Sequence, residues 1–218
     1  AVARAAPPPR PRAAATMQRI TSVFAVILAV VLFAVQRQKE PPVVWDGPDP
    51  VAVFETTAGA FRVEMWLGKA PRTASNFLDL CATGFYDGLH VHRVVEDFVV
   101  QLGCPHSRED PFGQMVGTGG PEVGTYHNYG QNVTERRWKG LGGAVIRDEY
   151  PKPSNTRFTL SMANTGEKNT GGSQFFINVE DNFELDWSTP GPAAHPVFGR
   201  IVAGEDVVLA MARAAVDH

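Results

Sequence analysis

Residues 51–66, VAVFETTAGAFRVEMW, contain two short stretches in which apolar and polar side chains alternate. Alternation with a period of two places the apolar side chains on one face of a β-strand. The segment Thr57-Ala58-Gly59 separates the two stretches and supplies the glycine that a tight connection favours. We therefore predict a β-hairpin at the start of a domain that is rich in strands.

Helical and extended patterns follow one another along the rest of the chain. In PRTASNFLDLCATG, residues 71–84, apolar residues recur at helical spacing between a starting proline and a terminating glycine. GEDVVLAMARAA, residues 204–215, predicts a second short amphipathic helix. Four more segments predict strands: HVHRVV (90–95), DFVVQLG (97–103), TLSMAN (159–164) and SQFFINV (173–179). Many strands with two helices favour a closed antiparallel barrel whose ends the helices cover.

Length and charge limit the classes of protein that this chain can represent. The 218 residues suffice for one sizeable domain, at residues 50–218, and an N-terminal extension. The net charge of -3 provides no basic surface for phosphates, so we expect no nucleic-acid partner. Cys81 and Cys104 lack the spacing of a disulfide framework or a zinc site, and we interpret both as buried thiols.

The first 49 residues differ in composition from the domain. Residues 1–19 have no acidic residue and no apolar period, which predicts a disordered basic leader. Residues 20–35, ITSVFAVILAVVLFAV, form an uncharged run that would span about 24 Å as a hydrophobic helix. Residues 36–49 are rich in Pro and charge and predict a linker.

Three interpretations of residues 20–35 stay open: a signal anchor, a cleaved signal peptide and part of an organelle transit peptide. The anchor fits an apolar run that ends directly in QRQKE. If Arg4, Arg10, Arg12 and Arg19 all belong to the natural chain, basic residues before the run outnumber those just after it, which predicts a single-pass membrane protein with its domain in the endomembrane lumen. A natural start at Met17 would remove this asymmetry. Cleavage would instead give a secreted or organelle-targeted protein.

Five segments resemble the signatures of the cyclophilin family, in the family's order. They are HRVVEDFVVQLG (92–103), GTGG (117–120), LSMANTG (160–166), NTGGSQFFINV (169–179) and HPVFGRIVAGEDVV (195–208). With the hairpin and the first helix, the resemblance covers about residues 50–213. It implies an eight-stranded antiparallel closed barrel capped by two α-helices, and the activity of a peptidyl-prolyl cis-trans isomerase.

The same resemblance implies the site residues. Arg93 matches the catalytic arginine of the family. The positions that match the walls of the proline pocket are Phe98, Val99, Phe176, Leu185 and Phe198. The positions that match the groove for the substrate backbone and its neighbourhood are Gln101, Ala163, Asn164, Thr165, Gln174 and His195.

These residue types suit rotation about an Xaa-Pro bond. A fixed guanidinium can donate a hydrogen bond to the prolyl nitrogen only when twisting has removed the amide resonance, so it favours the transition state. The chemistry requires no metal or other cofactor, and the partners we expect are proline-containing peptides and client proteins. A membrane-tethered module that binds proline-containing segments without turnover is the alternative function. We expect a monomer.

The sequence departs from the family pattern at three places. Glu184 occupies a position where many members have Trp, which argues against binding of cyclosporin-like cyclic peptides. Residues 121–147 are longer than a compact member needs, and so is WSTPGPAA before His195. We expect both insertions to lie beside the groove, where they would alter substrate choice or recruit a partner.

Overall fold

The computed structural model describes residues 2–4, 45–188 and 194–214. Its two α-helices are α1 (Pro71–Ala82) and α2 (Glu205–Ala212). Its strands are β1 (Val2–Arg4), β2 (Val51–Thr56), β3 (Gly59–Met65), β4 (Arg93–Val95), β5 (Val99–Leu102), β6 (Gly124–Asn128), β7 (Val133–Lys139), β8 (Ala144–Val145), β9 (Thr159–Met162), β10 (Phe175–Asn178) and β11 (Val197–Ala203).

The predicted hairpin is confirmed. Strands β2 and β3 pair antiparallel from Val51 opposite Glu64 to Thr56 opposite Gly59. At the turn, the Thr56 hydroxyl donates to the carbonyl oxygen of Gly59 at 2.7 Å and accepts the amide N–H of Ala58 at 3.1 Å. Gly59 has a φ of 129°, which side-chain-bearing residues rarely adopt, so a glycine is required at this turn.

Eight strands form one curled sheet in the order β1-β2-β3-β11-β9-β10-β5-β4, and β6-β7-β8 form a separate sheet. The predicted mainly β architecture with two helices is confirmed. Closure of the eight strands into a barrel is not confirmed. In the part of the chain that the structure describes, β1 and β4 remain the two ends of the hydrogen-bonded order.

The hydrophobic core lies between the concave face of the large sheet and the helices. Helix α1 contributes Phe77, whose ring lies 5.3 Å from that of Phe175 on β10. Alternation along β5 and β10 sends Val100, Leu102 and Ile177 to the same core face. The intervening residues of these strands therefore point to the opposite face, and they include the predicted site residues of β5 and β10.

The small sheet is attached to α1 by buried charged groups. The buried Arg137 guanidinium on β7 donates to Asn76 Oδ1 and to Asp79 Oδ2, both at 2.7 Å. The carboxylate of Glu149, whose pKa burial raises, accepts the amide N–H groups of Arg72 and Thr73 at the start of α1. Most of the predicted insertion 121–147 therefore forms the small sheet, and these contacts pack that sheet on the first helix.

Two pieces of the N-terminal region, residues 2–4 and 45–49, contact the domain. Val2–Arg4, within the predicted disordered leader, pair with β2 as strand β1. At the end of the predicted linker, Trp45 packs against the core and Asp49 accepts the Leu67 amide N–H at 3.0 Å. The predicted hydrophobic helix at 20–35 lies outside the described residues. Within the described ranges no helix has the length and apolarity needed to cross a membrane.

Candidate active site

Three predicted site residues lie in one row across adjacent strands. Arg93 on β4 is opposite Gln101 on β5, which is in turn opposite Phe176 on β10. Residues directly opposite one another in antiparallel strands project to the same face of a sheet. The register therefore brings a cation, an amide and an aromatic ring together on the face opposite the core.

A relay of side-chain hydrogen bonds orients the exposed Arg93. Its Nη1 donates to Gln101 Oε1 at 3.2 Å, and Gln101 Nε2 donates to Gln174 Oε1 at 3.1 Å. Gln174 Nε2 then donates to the carbonyl oxygens of Gly117 and Gly119, each at 2.8 Å. The relay thus ends on the backbone of the GTGG loop, residues 117–120.

A groove of about 820 Å³ extends from this relay and contains five predicted residues: Gln101, Ala163, Asn164, Thr165 and Gln174. The Ala163 amide N–H donates to the carbonyl oxygen of Gln174 at 3.0 Å. Asn164 Nδ2 donates to the carbonyl oxygen of Ala194 at 2.9 Å, and its Oδ1 accepts the Gly166 N–H at 3.0 Å. Both ends of the Asn164 amide are therefore fixed at the groove wall.

The apolar end of the site is built around Phe176. The imidazole of His195 packs edge-on against the Phe176 ring, with 5.2 Å between ring centroids. The His195 amide N–H donates to the carbonyl oxygen of Leu185 at 3.0 Å, which holds these two wall residues together. Val99 shares the face of Gln101 and is buried, and the half-buried Phe98 precedes it at the end of the β4–β5 turn.

The His195 ring is held in one tautomer. Its Nδ1 lies 2.9 Å from the carbonyl oxygen of Met162, and because a carbonyl only accepts, Nδ1 carries the hydrogen. Burial lowers the pKa of His195 below its ordinary value of 6.5, partly opposed by this hydrogen bond. At neutral pH the ring is therefore uncharged, with Nε2 available as an acceptor.

The structure does not place Phe198 in the site. Its ring is fully buried in the core, with its centroid 5.6 Å from that of Phe77 on α1. Val197 is opposite Ser161 on the face of the site. A register shift between Val197 and Gly199 puts Phe198 on the core side together with Gly199, which is opposite the core residue Leu160. The prediction that Phe198 forms a wall of the proline pocket is therefore wrong.

Part of the insertion reaches the groove, and sequence reasoning did not identify its role. The GLGG loop, residues 140–143, lines the groove and packs on the GTGG loop, whose Gly120 N–H donates to the carbonyl oxygen of Gly142 at 3.1 Å. A Cβ on Gly142 would lie 1.7 Å from the Thr118 carbonyl oxygen. The sequence signal for this close backbone contact was the presence of a Gly-Gly pair in each loop, Gly119-Gly120 and Gly142-Gly143.

His90, the two cysteines and Glu184 lie outside the relay and the groove. His90 Nδ1 lies 2.6 Å from the carbonyl oxygen of Ser107, a contact that links the segment before β4 to the 3-10 turn after β5. Cys81 and Cys104 are buried and free, as predicted. Glu184 is exposed in a short 3-10 turn, Phe183–Leu185, at the rim of the apolar end.

The sequence profile of the family described as cyclophilin type peptidyl-prolyl cis-trans isomerase matches residues 51–218. A peptidyl-prolyl cis-trans isomerase of Arabidopsis thaliana is 34% identical over 173 residues, which are 79% of this chain and 87% of the relative. One of Synechococcus elongatus is 37% identical over 149 residues, which are 68% of this chain and 78% of the relative.

Solved structures agree with these sequence relatives. The crystal structure of a cyclophilin type peptidyl-prolyl cis-trans isomerase from Cryptosporidium parvum has a TM-score of 0.59 and 26% sequence identity, and covers 78% of this chain and 88% of its own. A second structure of that protein, in the presence of the dipeptide Ala-Pro, has a TM-score of 0.57. The fold, the geometry of the site and the relatives of the present chain together show that it belongs to the cyclophilin family of peptidyl-prolyl cis-trans isomerases.

Proposed function

We propose that Arg93 accelerates Xaa-Pro rotation by donating a hydrogen bond to the prolyl nitrogen as the peptide bond twists. The supporting observation is the relay that holds the Arg93 guanidinium beside Gln101, in the same row as the Phe176 ring. A proline ring against Phe176 would bring its nitrogen toward this cation. No covalent bond forms or breaks, and the only change is the rotation of the amide.

One cation in a fixed position would supply part of the energetic requirement. The barrier of about 18–20 kcal/mol gives uncatalysed half-times of tens to hundreds of seconds. Turnover at about a thousand per second requires about 7 kcal/mol of selective stabilisation. Twisting localises a lone pair on the prolyl nitrogen, and Arg93 would interact with that lone pair more strongly than with either planar isomer.

The remaining residues would hold the peptide on both sides of the rotating bond. Phe98, Phe176 and Leu185 would contact the proline ring, with Val99 beneath them and the neutral His195 beside them. Gln101, Ala163, Asn164, Thr165 and Gln174 line the groove and would bind the backbone on one flank. Holding one flank while the other turns is what converts binding into catalysis. The Ala-Pro dipeptide with the Cryptosporidium parvum relative supports a proline-containing ligand.

The test measures cis-trans exchange of an Xaa-Pro peptide by NMR with the full chain and with Arg93→Ala. Loss of one transition-state donor should reduce the exchange rate on the order of a hundredfold while peptide binding persists. Arg200→Ala is the matched control, because Arg200 is an exposed arginine that pairs with Glu64 on a neighbouring strand. Equal exchange rates for wild type and Arg93→Ala would refute the mechanism. Wild-type binding without exchange would instead support a binding module.

We also propose that residues 20–35 anchor the protein as a monomer in a membrane, with the domain in the endomembrane lumen and client proteins as substrates. In this topology residues 2–4 and β2 lie on opposite sides of the membrane, so the proposal requires that the pairing of β1 with β2 be absent from the anchored protein. The support is the uncharged 16-residue run with basic residues before it. Carbonate extraction of membranes followed by N-terminal sequencing tests this proposal. Release into the soluble fraction, or an N-terminus near residues 35–40, would refute the anchor.

A further inference from the structure

A cluster of polar side chains is buried beneath the apolar end of the active site. It consists of three amides, Asn155, Asn178 and Asn182, and two hydroxyls, Thr159 and Ser161. None of the five is more than 5% exposed. Polar groups are buried at a cost unless they are hydrogen-bonded, so a cluster of this size requires internal partners. We refer to these five residues as the amide cluster.

The amide cluster satisfies its own hydrogen bonds across β9 and β10. Asn178 Nδ2 donates to Thr159 Oγ1 at 2.9 Å, and Asn178 Oδ1 accepts from Asn182 Nδ2 at 2.8 Å. The Ser161 hydroxyl donates to Asn155 Oδ1 at 2.7 Å. Ser161 is opposite Phe176 in the sheet, and Asn178 is opposite Val99, so the cluster shares the face of the site.

Hydrogen bonds at the edges of the cluster reach the segments that carry the pocket walls. Asn182 Nδ2 donates to the carbonyl oxygen of Phe98 at 3.0 Å. Asn155 Nδ2 donates to the carbonyl oxygen of His195 at 3.3 Å. The same Nδ2 donates to Oδ1 of Asp186, the residue after Leu185, at 2.8 Å. Two wall residues, Phe98 and His195, and the neighbour of a third, Leu185, are thus tied to one buried unit.

These wall residues need such support because they lie outside the strands. Phe98 ends a turn, Leu185 belongs to a single 3-10 turn and His195 precedes β11. Backbone hydrogen bonds hold each of them, but no strand ladder extends through them, and a side-chain network can rigidify such segments further. The Arg93 relay uses none of the cluster residues.

We propose that the amide cluster consists of positioning residues that set the width of the proline pocket. This inference rests on the proposed function. It assigns Asn155, Asn178 and Asn182 to binding of the proline ring and leaves the transition-state contact to Arg93. The expected signature is a change in KM or peptide affinity with little change in kcat, because the pocket widens while the cation keeps its place.

The test compares wild type with Asn182→Ala in the full chain, using exchange NMR on an Ala-Pro-containing peptide. Removing the amide deletes its two hydrogen bonds, to Asn178 Oδ1 and to the Phe98 carbonyl oxygen, which keeps only the Val179 amide N–H. A loss of about 1 kcal/mol of support for the pocket wall corresponds to a three- to tenfold rise in KM. We expect kcat to stay within about twofold of wild type. Ser161→Ala removes one hydroxyl from the same cluster and should shift KM in the same direction by less.

Ser75→Ala is the matched structural control. Ser75 is fully buried on α1, and its Oγ accepts the Tyr129 amide N–H at 2.9 Å, on the core side of the sheet. This variant should lose thermal stability without a change in KM. If Asn182→Ala does not fold, Ser161→Ala carries the test, with folding checked by the dispersion of amide signals.

Three results would overturn the inference: an unchanged KM in folded Asn182→Ala and Ser161→Ala, the same KM shift in Ser75→Ala, or a fall in kcat alone. Failure of the proposed function would give a different experimental result. In that case Arg93→Ala and wild type exchange the peptide at equal rates, while the affinity of the peptide, measured from chemical-shift titration, still reports on the pocket. The two proposals can therefore fail independently.

Discussion

Substitution of Gly142 by Ala tests whether the insertion supports the catalytic arginine. The new Cβ would lie 1.7 Å from the Thr118 carbonyl oxygen, and real Cβ contacts are essentially never below 3.0 Å. The GLGG and GTGG loops must therefore separate by about 1.3 Å or more. Thr118 lies between Gly117 and Gly119, whose carbonyl oxygens accept the 2.8 Å bonds from Gln174. If the GTGG loop moves by this distance, both bonds exceed hydrogen-bonding length.

The consequence would pass along the relay to the reacting atoms. Without these two bonds Gln174 no longer fixes Gln101, and Arg93 loses the orientation that Gln101 gives it. A misplacement of about 1 Å in a catalytic group can cost up to a hundredfold in rate. We expect kcat/KM of Gly142→Ala to fall at least about tenfold, with most of the change in kcat.

The assay is cis-trans exchange by NMR, at a temperature well below the unfolding midpoint of each variant. Gly124→Ala is the matched control, because Gly124 lies on β6 of the same insertion and an added Cβ there meets no atom within 4 Å. That variant should match wild type. A folded Gly142→Ala enzyme with wild-type kcat/KM would refute the idea that the two loops support Arg93.

Three further predictions concern His195, the buried Arg137 and Glu184. Ring titration by NMR should give His195 a pKa below 6.5, because burial disfavours its charged form; a normal or raised value would contradict the structure. As the pH falls, His195 of the unfolded chain is protonated before His195 of the folded protein, so the free energy of unfolding should fall below about pH 6.5. This fall should be smaller in His195→Gln. Arg137→Met should lower the unfolding free energy in urea by about 3 kcal/mol, since Asp79 loses its buried partner, whereas exposed Arg136→Met should not. Glu184→Trp should raise the affinity for a cyclosporin-like cyclic peptide about tenfold by calorimetry, and an unchanged affinity would refute the role of this position.

The sequence was sufficient to predict the parts of the site that depend on short-range patterns. The motif around Arg93 and Gln101 specifies two short strands, and their antiparallel pairing brings the two side chains together. Phe198 shows the limit of the same reasoning. Val197 and Phe198 are both apolar, so alternation alone does not say which one points to the core. The register shift between Val197 and Gly199 puts Phe198 on the core side, and that irregularity is visible only in the assembled sheet.

Contacts between distant segments could not be predicted from spacing. Asn178 lies within an otherwise apolar strand, which signals a buried polar group, but its partners Thr159 and Asn182 are identified only by the fold. The same holds for β1, because Val2–Arg4 have no strand pattern of their own and pair with the free edge of β2. Register and edge pairing are properties of the assembled sheet.

The energetics of the reaction explain why both flanks of the site are fixed by hydrogen-bond networks. One well-placed donor contributes on the order of 3–4 kcal/mol to a transition state, about half of the 7 kcal/mol that fast turnover requires. The rest must come from holding the peptide so that rotation starts from a productive geometry. In this chain the relay fixes the groove side through Gln101 and Gln174, and the amide cluster fixes the apolar side. Loosening the relay would therefore lower kcat, and loosening the amide cluster would raise KM, even if the Arg93 guanidinium were chemically unchanged.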